Sequence, residues 1–314
     1  MNSKKILVVG ELNVDLILND IQGFPKLGTE IVANEMNFTL GSSSAIMASN
    51  ISALGVDTSF CGMVGTDDFG DFVIQQLQLK NVDTSFVQKA PDTKTGITVV
   101  MNYQQDRANV TYCGAMDLLS LNEIPWDRLK EFQHFHLSNY FLQKGIKGQI
   151  TEIFKKAKET GLTTSLDLQW DPENEWDFDY INCLPFVDVF LPNEQELLAL
   201  TRTRNIEEGL EELKPYTTII ALKMGDKGGM VISGEEKIQL KPFLNKNFAD
   251  AIGAGDSFNA GFLQKFMEGA ALEDCLLNAN LIGSLSTTKP GGTGAFSSLT
   301  TIEAQKQQIL DHQL

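Results

Sequence analysis

The chain has 314 residues, 42% of them hydrophobic and 21% charged, proportions typical of a core-forming protein of one large domain or two. The net charge of −16, without any basic run, argues against nucleic acid or an anionic membrane as a partner. Four scattered cysteines without a C-x-x-C pair, and no apolar run long enough for a signal peptide or a membrane span, predict a cytoplasmic protein.

The first predicted element is a buried parallel strand at 6–10, a short apolar run that ends in glycine. Asp15 follows this strand, at the end where open α/β sheets place the groups that bind ligands. A turn-forming role after the strand is an equally good interpretation of this residue on its own.

The next part of the chain predicts helices between small β elements. Residues 30–39 have the pattern of an irregular strand pair. A helix is predicted over 69–79, with Asp67 mainly as its structural cap. Two β-rich runs at 95–101 and 108–113 are joined by a polar turn. Together these runs predict a small sheet that is separate from the main one.

From residue 132 onward the predicted strands and helices alternate. Strands are predicted at 135–138, 163–168, 186–191, 217–222 and 229–233, and helices at 148–159, 193–200 and 206–213. Alternation at this spacing predicts a parallel sheet covered by helices on both faces.

The clearest chemical signal lies in the segment Asp250–Phe258. Gly253 and Gly255 precede a helical pattern, so unpaired N–H groups at the helix start are expected to form an anion site. Asp256 lies in the first turn, where a carboxylate beside a phosphate costs electrostatic energy and therefore needs a chemical reason. We interpret Asp256 as the base for an attacking hydroxyl, while the amides of Gly253, Ala254 and Gly255 hold phosphoryl oxygens. A capped helix after a glycine-rich turn is the alternative.

Two further motifs follow predicted strands. Asn193 and Glu196 share one face of a helix's first turn, either as a capping pair or as ligand groups. Lys223 ends a strand before a loop that contains Gly225 and Gly228. This lysine can offer positive charge to a phosphate, and a plain hairpin is the alternative interpretation of the loop.

Taken in order, these motifs resemble those of the ribokinase-like (PfkB) carbohydrate kinases. Asp250–Phe258 is similar to the family's D-T-x-G-A-G-D signature, and residues 61–70 resemble its V-G-x-D-x-F-G signature. The resemblance implies a single α/β domain over 1–314, with a ribokinase-like three-layer α/β/α, doubly wound and mostly parallel sheet. It also implies a small β-sheet lid, built from about 11–40 and 95–114, which covers the sugar and often supplies a dimer contact.

The resemblance further implies ATP-dependent phosphorylation of a hydroxyl on a sugar or sugar-like molecule, with Asp256 as general base. The substrate contacts that it implies are Asp15, Gly41 and Ser42. The nucleotide contacts that it implies are Asn193, Lys223, Gly225, Gly228 and Asn280. Glu196 would help to organise Mg²⁺ through water, and Asp250 and Ile252 would border a site for a monovalent cation, K⁺.

The chain departs from the family pattern near the implied sugar pocket. Ile46 stands where the family has asparagine, which replaces a polar contact with apolar surface and leaves the substrate class open. A nucleoside kinase of the same superfamily is one alternative, and a non-catalytic protein that binds a sugar or a nucleotide is another. Retention of Asp256 and both glycines argues against the second alternative, because a binding protein needs no base.

Overall fold

The structure is a computed structural model that describes residues 4–103, 106–243, 245 and 248–311. The strands are β1 (Lys5–Val9), β2 (Asn13–Ile21), β3 (Ala33–Leu40), β4 (Asp57–Gly65), β5 (Asp83–Ala90), β6 (Gly96–Tyr103), β7 (Asp106–Tyr112), β8 (His134–Ser138), β9 (Thr163–Asp167), β10 (Val189–Phe190), β11 (Ile219–Lys223), β12 (Gly229–Ser233) and β13 (Glu236–Leu240). The helices are α1 (Ser43–Ala53), α2 (Asp68–Leu79), α3 (Ile150–Glu159), α4 (Tyr180–Cys183), α5 (Glu194–Thr201), α6 (Ile206–Leu213), α7 (Ala254–Glu268), α8 (Leu272–Ser286) and α9 (Leu299–Asp311).

Nine strands form the large sheet, in the order β13-β12-β11-β10-β9-β8-β1-β4-β5. The pairs from β11 to β5 are parallel, and β12 and β13 add an antiparallel edge. Parallel strands are usually buried on both faces and therefore carry continuous apolar runs, as β1 does here. The carboxyl ends of these strands meet at one edge of the sheet, where α/β proteins bind ligands.

Hydrophobic cores lie on both faces of the large sheet. In β1, Leu7 and Val9 pack into one core, while Ile6 and Val8 pack into the other, because successive side chains of a strand point to opposite faces. The first core includes side chains of α3, α5 and α6, and the second includes side chains of α1, α7 and α8. The predicted three-layer α/β/α class is confirmed. No helix in the described part of the chain is long and apolar enough to cross a membrane.

Four strands form a small sheet in the order β3-β2-β6-β7. Its register separates the side chains into two faces. Asp15 lies beside Thr98, which lies beside Thr111, on a polar face. On the other face Leu16 lies beside Val99, and the paired residues around these two are apolar: Val14, Leu18, Met36, Phe38, Leu40, Ile97, Met101, Ala108, Val110 and Tyr112. The predicted small sheet is therefore present, with one face suited to polar ligands.

Two details of the sequence prediction are wrong and a third is confirmed. Residues 30–39 do not form a strand pair; they contribute to the single strand β3, which pairs with β2, a strand absent from the prediction. The strand expected at 186–191 shrinks to Val189–Phe190, because Leu184–Phe186 forms a 3₁₀ turn with proline at its start. The predicted role of Asp67 is confirmed: it caps α2 by accepting a hydrogen bond from the Gly70 amide.

Candidate active site

A cavity of about 510 Å³ lies between the carboxyl ends of the large sheet's strands and the polar face of the small sheet. The predicted site residues that line it are Asp15, Ser42, Asn193, Glu196, Lys223, Gly225, Ile252, Gly253, Ala254, Gly255 and Asp256. Of the other candidates, all of which the structure describes, Gly41, Gly228, Asp250 and Asn280 do not line it. Residues far apart in sequence are thus brought to one place by the strand order.

Helix α7 begins at the cavity. Gly253 adopts φ 71°, a left-handed conformation that favours glycine, and no side chain caps the helix. The Ala254 amide donates to the Ala251 carbonyl at 3.2 Å, so this amide is already used, contrary to the expectation of three open amides. Within the described ranges, the N–H groups of Gly253, Gly255 and Asp256 have no protein acceptor. The helix start therefore offers open donors to an anion.

Asp256 is buried against the cavity, with 7% of its surface exposed. Burial raises its pKa well above the ordinary aspartate value, and the neighbouring Asp167 carboxylate raises it further. Lys223 opposes this shift, as does a hydrogen bond of 3.1 Å from Gln169 Nε2 to Asp256 Oδ1. Asp256 is thus a carboxylate of increased basicity beside open amides.

Lys223 forms a buried ion pair with Asp167, a residue that the sequence analysis missed. The distance from Lys223 Nζ to Asp167 Oδ2 is 2.7 Å, and the same oxygen accepts from Asn259 Nδ2. Burial alone would lower the lysine's pKa, but the charges of Asp167 and Glu196 outweigh it, so the net shift is upward. A Cβ built on Gly255 would lie 3.6 Å from Lys223 Cδ, which places this lysine beside the first turn of α7.

Two carboxylates face the other end of the cavity. Asn13 Nδ2 donates to Asp15 Oδ1 at 2.9 Å, and burial raises the pKa of Asp15 to about 6. Glu11, which the sequence analysis missed, is fully buried; it accepts hydrogen bonds from Ser44, and burial raises its pKa to about 7. Gly41 serves close packing, since a Cβ there would lie 2.3 Å from Asp15 Oδ1.

The start of α1 closes the same end. Ser42 adopts φ 68°, accepts from the Ala45 amide at 2.9 Å and donates to the Glu11 carbonyl at 2.6 Å. Its hydroxyl is therefore engaged in capping the helix. Ile46 lines the cavity and packs on a glycine loop, because a Cβ built on Gly292 would lie 2.6 Å from Ile46 Cδ1.

Asn193 and Glu196 form a reciprocal capping box at the start of α5. Glu196 Oε2 accepts from the Asn193 amide at 2.8 Å, yet the carboxylate also lines the cavity, and burial raises its pKa to about 7. No group of three or more His, Cys, Asp or Glu side chains among the described residues could hold a metal ion. One carboxylate fits Mg²⁺ nevertheless, since this ion keeps several waters and binds mainly to nucleotide phosphates.

The remaining candidates do not line the cavity but stabilise loops and turns of the chain. Asn280 Nδ2 donates to the Lys241 carbonyl at 3.2 Å, and Gly228 allows the left-handed turn of the β11–β12 hairpin. Asp250 accepts from the amides of Ile252 and Gly291, each at 2.9 Å, and so ties two loops together.

Comparisons with known proteins agree over nearly the whole chain. A family model described as pfkB family carbohydrate kinase matches residues 3–298. A ribokinase of Lactococcus lactis is 27% identical over 308 residues, which cover 97% of this chain and 98% of the relative. A structure from E. coli in complex with ATP and Mg²⁺ has a TM-score of 0.84 at 24% identity, covering 98% and 99% of the two chains. A Vibrio cholerae fructokinase variant with fructose, ADP and a potassium ion bound has a TM-score of 0.78 at 25% identity, covering 96% and 98%.

Proposed function

The chain belongs to the pfkB family of carbohydrate kinases, and from this premise we propose that it transfers a phosphoryl group from ATP to a sugar hydroxyl with Asp256 as general base. The observation that carries the proposal is the position of Asp256, buried at the cavity beside the open amides of α7. An alcohol is a weak nucleophile at neutral pH, so a positioned base accelerates its attack. The remaining work of phosphoryl transfer is positioning and charge stabilisation.

The amides of Gly253 and Gly255 are the proposed anion hole, with the 15-residue helix α7 behind them. Ala254 contributes shape rather than a donor, because its N–H is engaged with Ala251. The helix dipole adds positive potential at the same place, and the ammonium group of Lys223, beside the first turn of α7, offsets the negative charge of Asp167 there. These groups supply local attraction for a triphosphate in a chain of net charge −16.

The polar face of the small sheet is the proposed acceptor site. Asp15, Thr98, Asn109 and Thr111 line the cavity from this sheet and can both accept and donate hydrogen bonds, as a polyol requires. We propose that the sheet is a lid within one domain of residues 1–314. Its closure over the acceptor would exclude water, which protects ATP from hydrolysis.

The nucleotide is proposed to lie on the side of Asn193, Lys223 and Gly225, with Gly228 and Asn280 shaping this wall from behind. Mg²⁺ held by Glu196 through water would neutralise phosphate charge. A monovalent cation such as K⁺ is proposed beside the loops that Asp250 joins, near Ile252. Backbone carbonyl groups of these loops would supply the oxygen ligands for such an ion.

A nucleoside kinase is the second candidate, because Ile46, Leu142 and Trp170 add apolar surface to the same cavity. A panel of D-ribose, D-fructose, D-gluconate and adenosine, assayed by coupled ADP release, separates the two candidates. D-Gluconate is included because Arg107 contributes a positive charge to the cavity lining. Absence of ADP release with every acceptor would favour a non-catalytic binding protein.

Replacement of Asp256 by asparagine tests the base directly. Asp256→Asn keeps the shape of the side chain but removes its basicity, so we expect kcat to fall by about 10²–10⁴-fold while ATP binding, measured calorimetrically, is retained. Asp274→Asn, an exposed aspartate of α8, is the matched control and should keep wild-type turnover. Wild-type turnover in Asp256→Asn would exclude Asp256 as the base.

A further inference from the structure

Gln169 lies between two buried carboxylates at the cavity. Its Nε2 donates to Asp167 Oδ2 at 2.9 Å and to Asp256 Oδ1 at 3.1 Å. Its backbone is left-handed, with φ 61°, and its own amide donates to Asp167 Oδ1 at 3.2 Å. A left-handed glutamine is uncommon and needs support from its surroundings, which Asp167 provides here. We propose that Gln169 is a positioning residue that sets the orientation and basicity of Asp256.

The chemistry of a primary amide suits this position. The glutamine nitrogen carries two hydrogens, so it can donate one to each carboxylate. The charges of Asp167 and Asp256 repel each other, and burial also disfavours the charge of Asp256. A donor shared by both carboxylates offsets part of this cost. The bridge stabilises the ionised form of Asp256 that a general base requires. It also engages Oδ1, whereas Oδ2 has no side-chain donor among the described residues and is available to take the proton of the sugar hydroxyl.

Lys223 does not perform this task. Its ammonium group pairs with Asp167 at 2.7 Å and affects Asp256 only by charge–charge interaction, without a hydrogen bond. Throughout the described chain, Gln169 is the side chain that donates a hydrogen bond to Asp256. The lysine thus balances the charge of Asp167, while the glutamine holds the base.

This inference rests on the proposed function and is tested with Gln169→Met, which keeps the length of the side chain but removes both donors and adds no charge. Loss of a hydrogen bond to an ionised group raises that group's pKa. We expect the acidic limb of the pH profile of kcat to shift to higher pH by about one to two units. Gln169→Glu, which adds a third carboxylate, should move it further in the same direction. Turnover is measured with the acceptor of the panel above that gives the highest rate.

A direct measurement needs no substrate. The carboxyl carbon of Asp256 is followed by NMR in protein labelled with ¹³C-carboxyl aspartate, and Asp256→Asn assigns its signal. The same upward shift of the pKa is expected in Gln169→Met. Asn174→Met is the matched control: it is another left-handed position of the same loop, with φ 55°, and it does not line the cavity. A role of Gln169 as a loop strut alone would leave both titrations unchanged.

The outcomes separate the two claims. Full turnover in Asp256→Asn would refute both the assignment of Asp256 as the base and this inference. An inactive Asp256→Asn, combined with wild-type titrations in Gln169→Met, overturns the inference alone. Should Gln169→Met fail to fold, Gln169→Asn is used, because asparagine tolerates a left-handed backbone and its shorter amide cannot span both carboxylates. An upward shift is expected there too, and its absence would refute the bridge.

Discussion

Burial changes the acid–base chemistry of the carboxyl groups around the cavity. It raises the pKa of Glu11 and of Glu196 to about 7, and that of Asp15 to about 6. Hydrogen bonds from Ser44 and Asn13 oppose the shifts of Glu11 and Asp15 without cancelling them. These three carboxyl groups therefore change protonation close to neutral pH.

Glu11 gives the sharpest test of this effect. Its pKa rises from 4.5 to about 7 on folding, so its stabilising contribution is fully present below pH 4.5 and is lost as the pH rises through 7. Glu11→Gln keeps the acceptor for Ser44 but does not titrate. We expect the free energy of unfolding of the variant, relative to wild type, to rise by about 3 kcal/mol across this range.

Urea unfolding of the ligand-free protein at both ends of the range measures the difference. Glu273→Gln, which replaces an exposed glutamate at the start of α8, is the control, and its free energy of unfolding should have the same pH dependence as that of wild type. If the free energies of unfolding of Glu11→Gln and wild type differ by the same amount at both pH values, ionisation of Glu11 does not destabilise the folded protein.

At the scale of elements, the start of α7 offers two glycines with different structural demands. A Cβ on Gly253 would lie 2.6 Å from the Gly292 Cα, and the residue is left-handed, with φ 71°. A Cβ on Gly255 would meet its nearest atom, Lys223 Cδ, at 3.6 Å, an ordinary contact. Substitution of Gly253 therefore tests folding, whereas substitution of Gly255 tests whether a ligand binds at the helix start.

We expect Gly253→Ala to destabilise the protein by about 1–3 kcal/mol, because it adds backbone strain and a close contact. Gly255→Ala should leave the melting temperature unchanged or slightly higher, since alanine is the better helix former. If phosphoryl oxygens approach this amide, the added methyl group raises the KM for ATP. Equal melting temperatures for Gly253→Ala and wild type would contradict the strain, and an unchanged KM in Gly255→Ala would contradict the anion hole.

Local patterns made part of the molecule predictable. The glycine segment before α7, the cap of α2 and the pair at the start of α5 depend on residues a few positions apart, which sequence spacing reports directly. The main sheet was predictable because its strands are apolar on both faces and alternate with helices. Strand β2 was not, since its nine residues include Asn13, Asp15 and Asn19 on the polar face, and so lack a continuous apolar run.

The missed site residues depend on strand order, which no local pattern contains. The strand order brings Glu11 to the cavity and Asp167 to the lining residues Lys223 and Gln169, because β1, β8 and β9 are neighbours in the sheet although they are far apart in the sequence. One signal was available: Asp167 lies at the carboxyl end of the strand predicted at 163–168, and Asp15 was chosen for a similar reason. Its pairing with Lys223, and the bridge from Gln169, follow from side-chain geometry that only coordinates supply.

At the scale of the whole molecule, the outer face of the small sheet is the feature that a single chain leaves uncovered. Twelve residues of this face, on β3, β2, β6 and β7, have apolar side chains, and α2 covers the part near Phe38 through Phe69 and Phe72. Met36, Val110 and Tyr112 are 60%, 61% and 52% exposed. An apolar patch of this kind on a sheet with open edges marks an interaction surface.

We propose that a second copy of the chain covers this face and forms a homodimer through the lid. Apolar side chains opposite apolar side chains would bury the patch, and a self-complementary two-fold contact needs no other partner. Val110→Lys places a charge on the exposed apolar surface of the edge strand β7, where a partner copy would have to bury it. We expect sedimentation velocity to report a dimer for wild type and a monomer for Val110→Lys. Leu79→Lys, a 67% exposed leucine at the end of α2, is the control and should remain dimeric. A wild-type monomer at micromolar concentration, or a dimer in Val110→Lys, would show that another contact governs assembly.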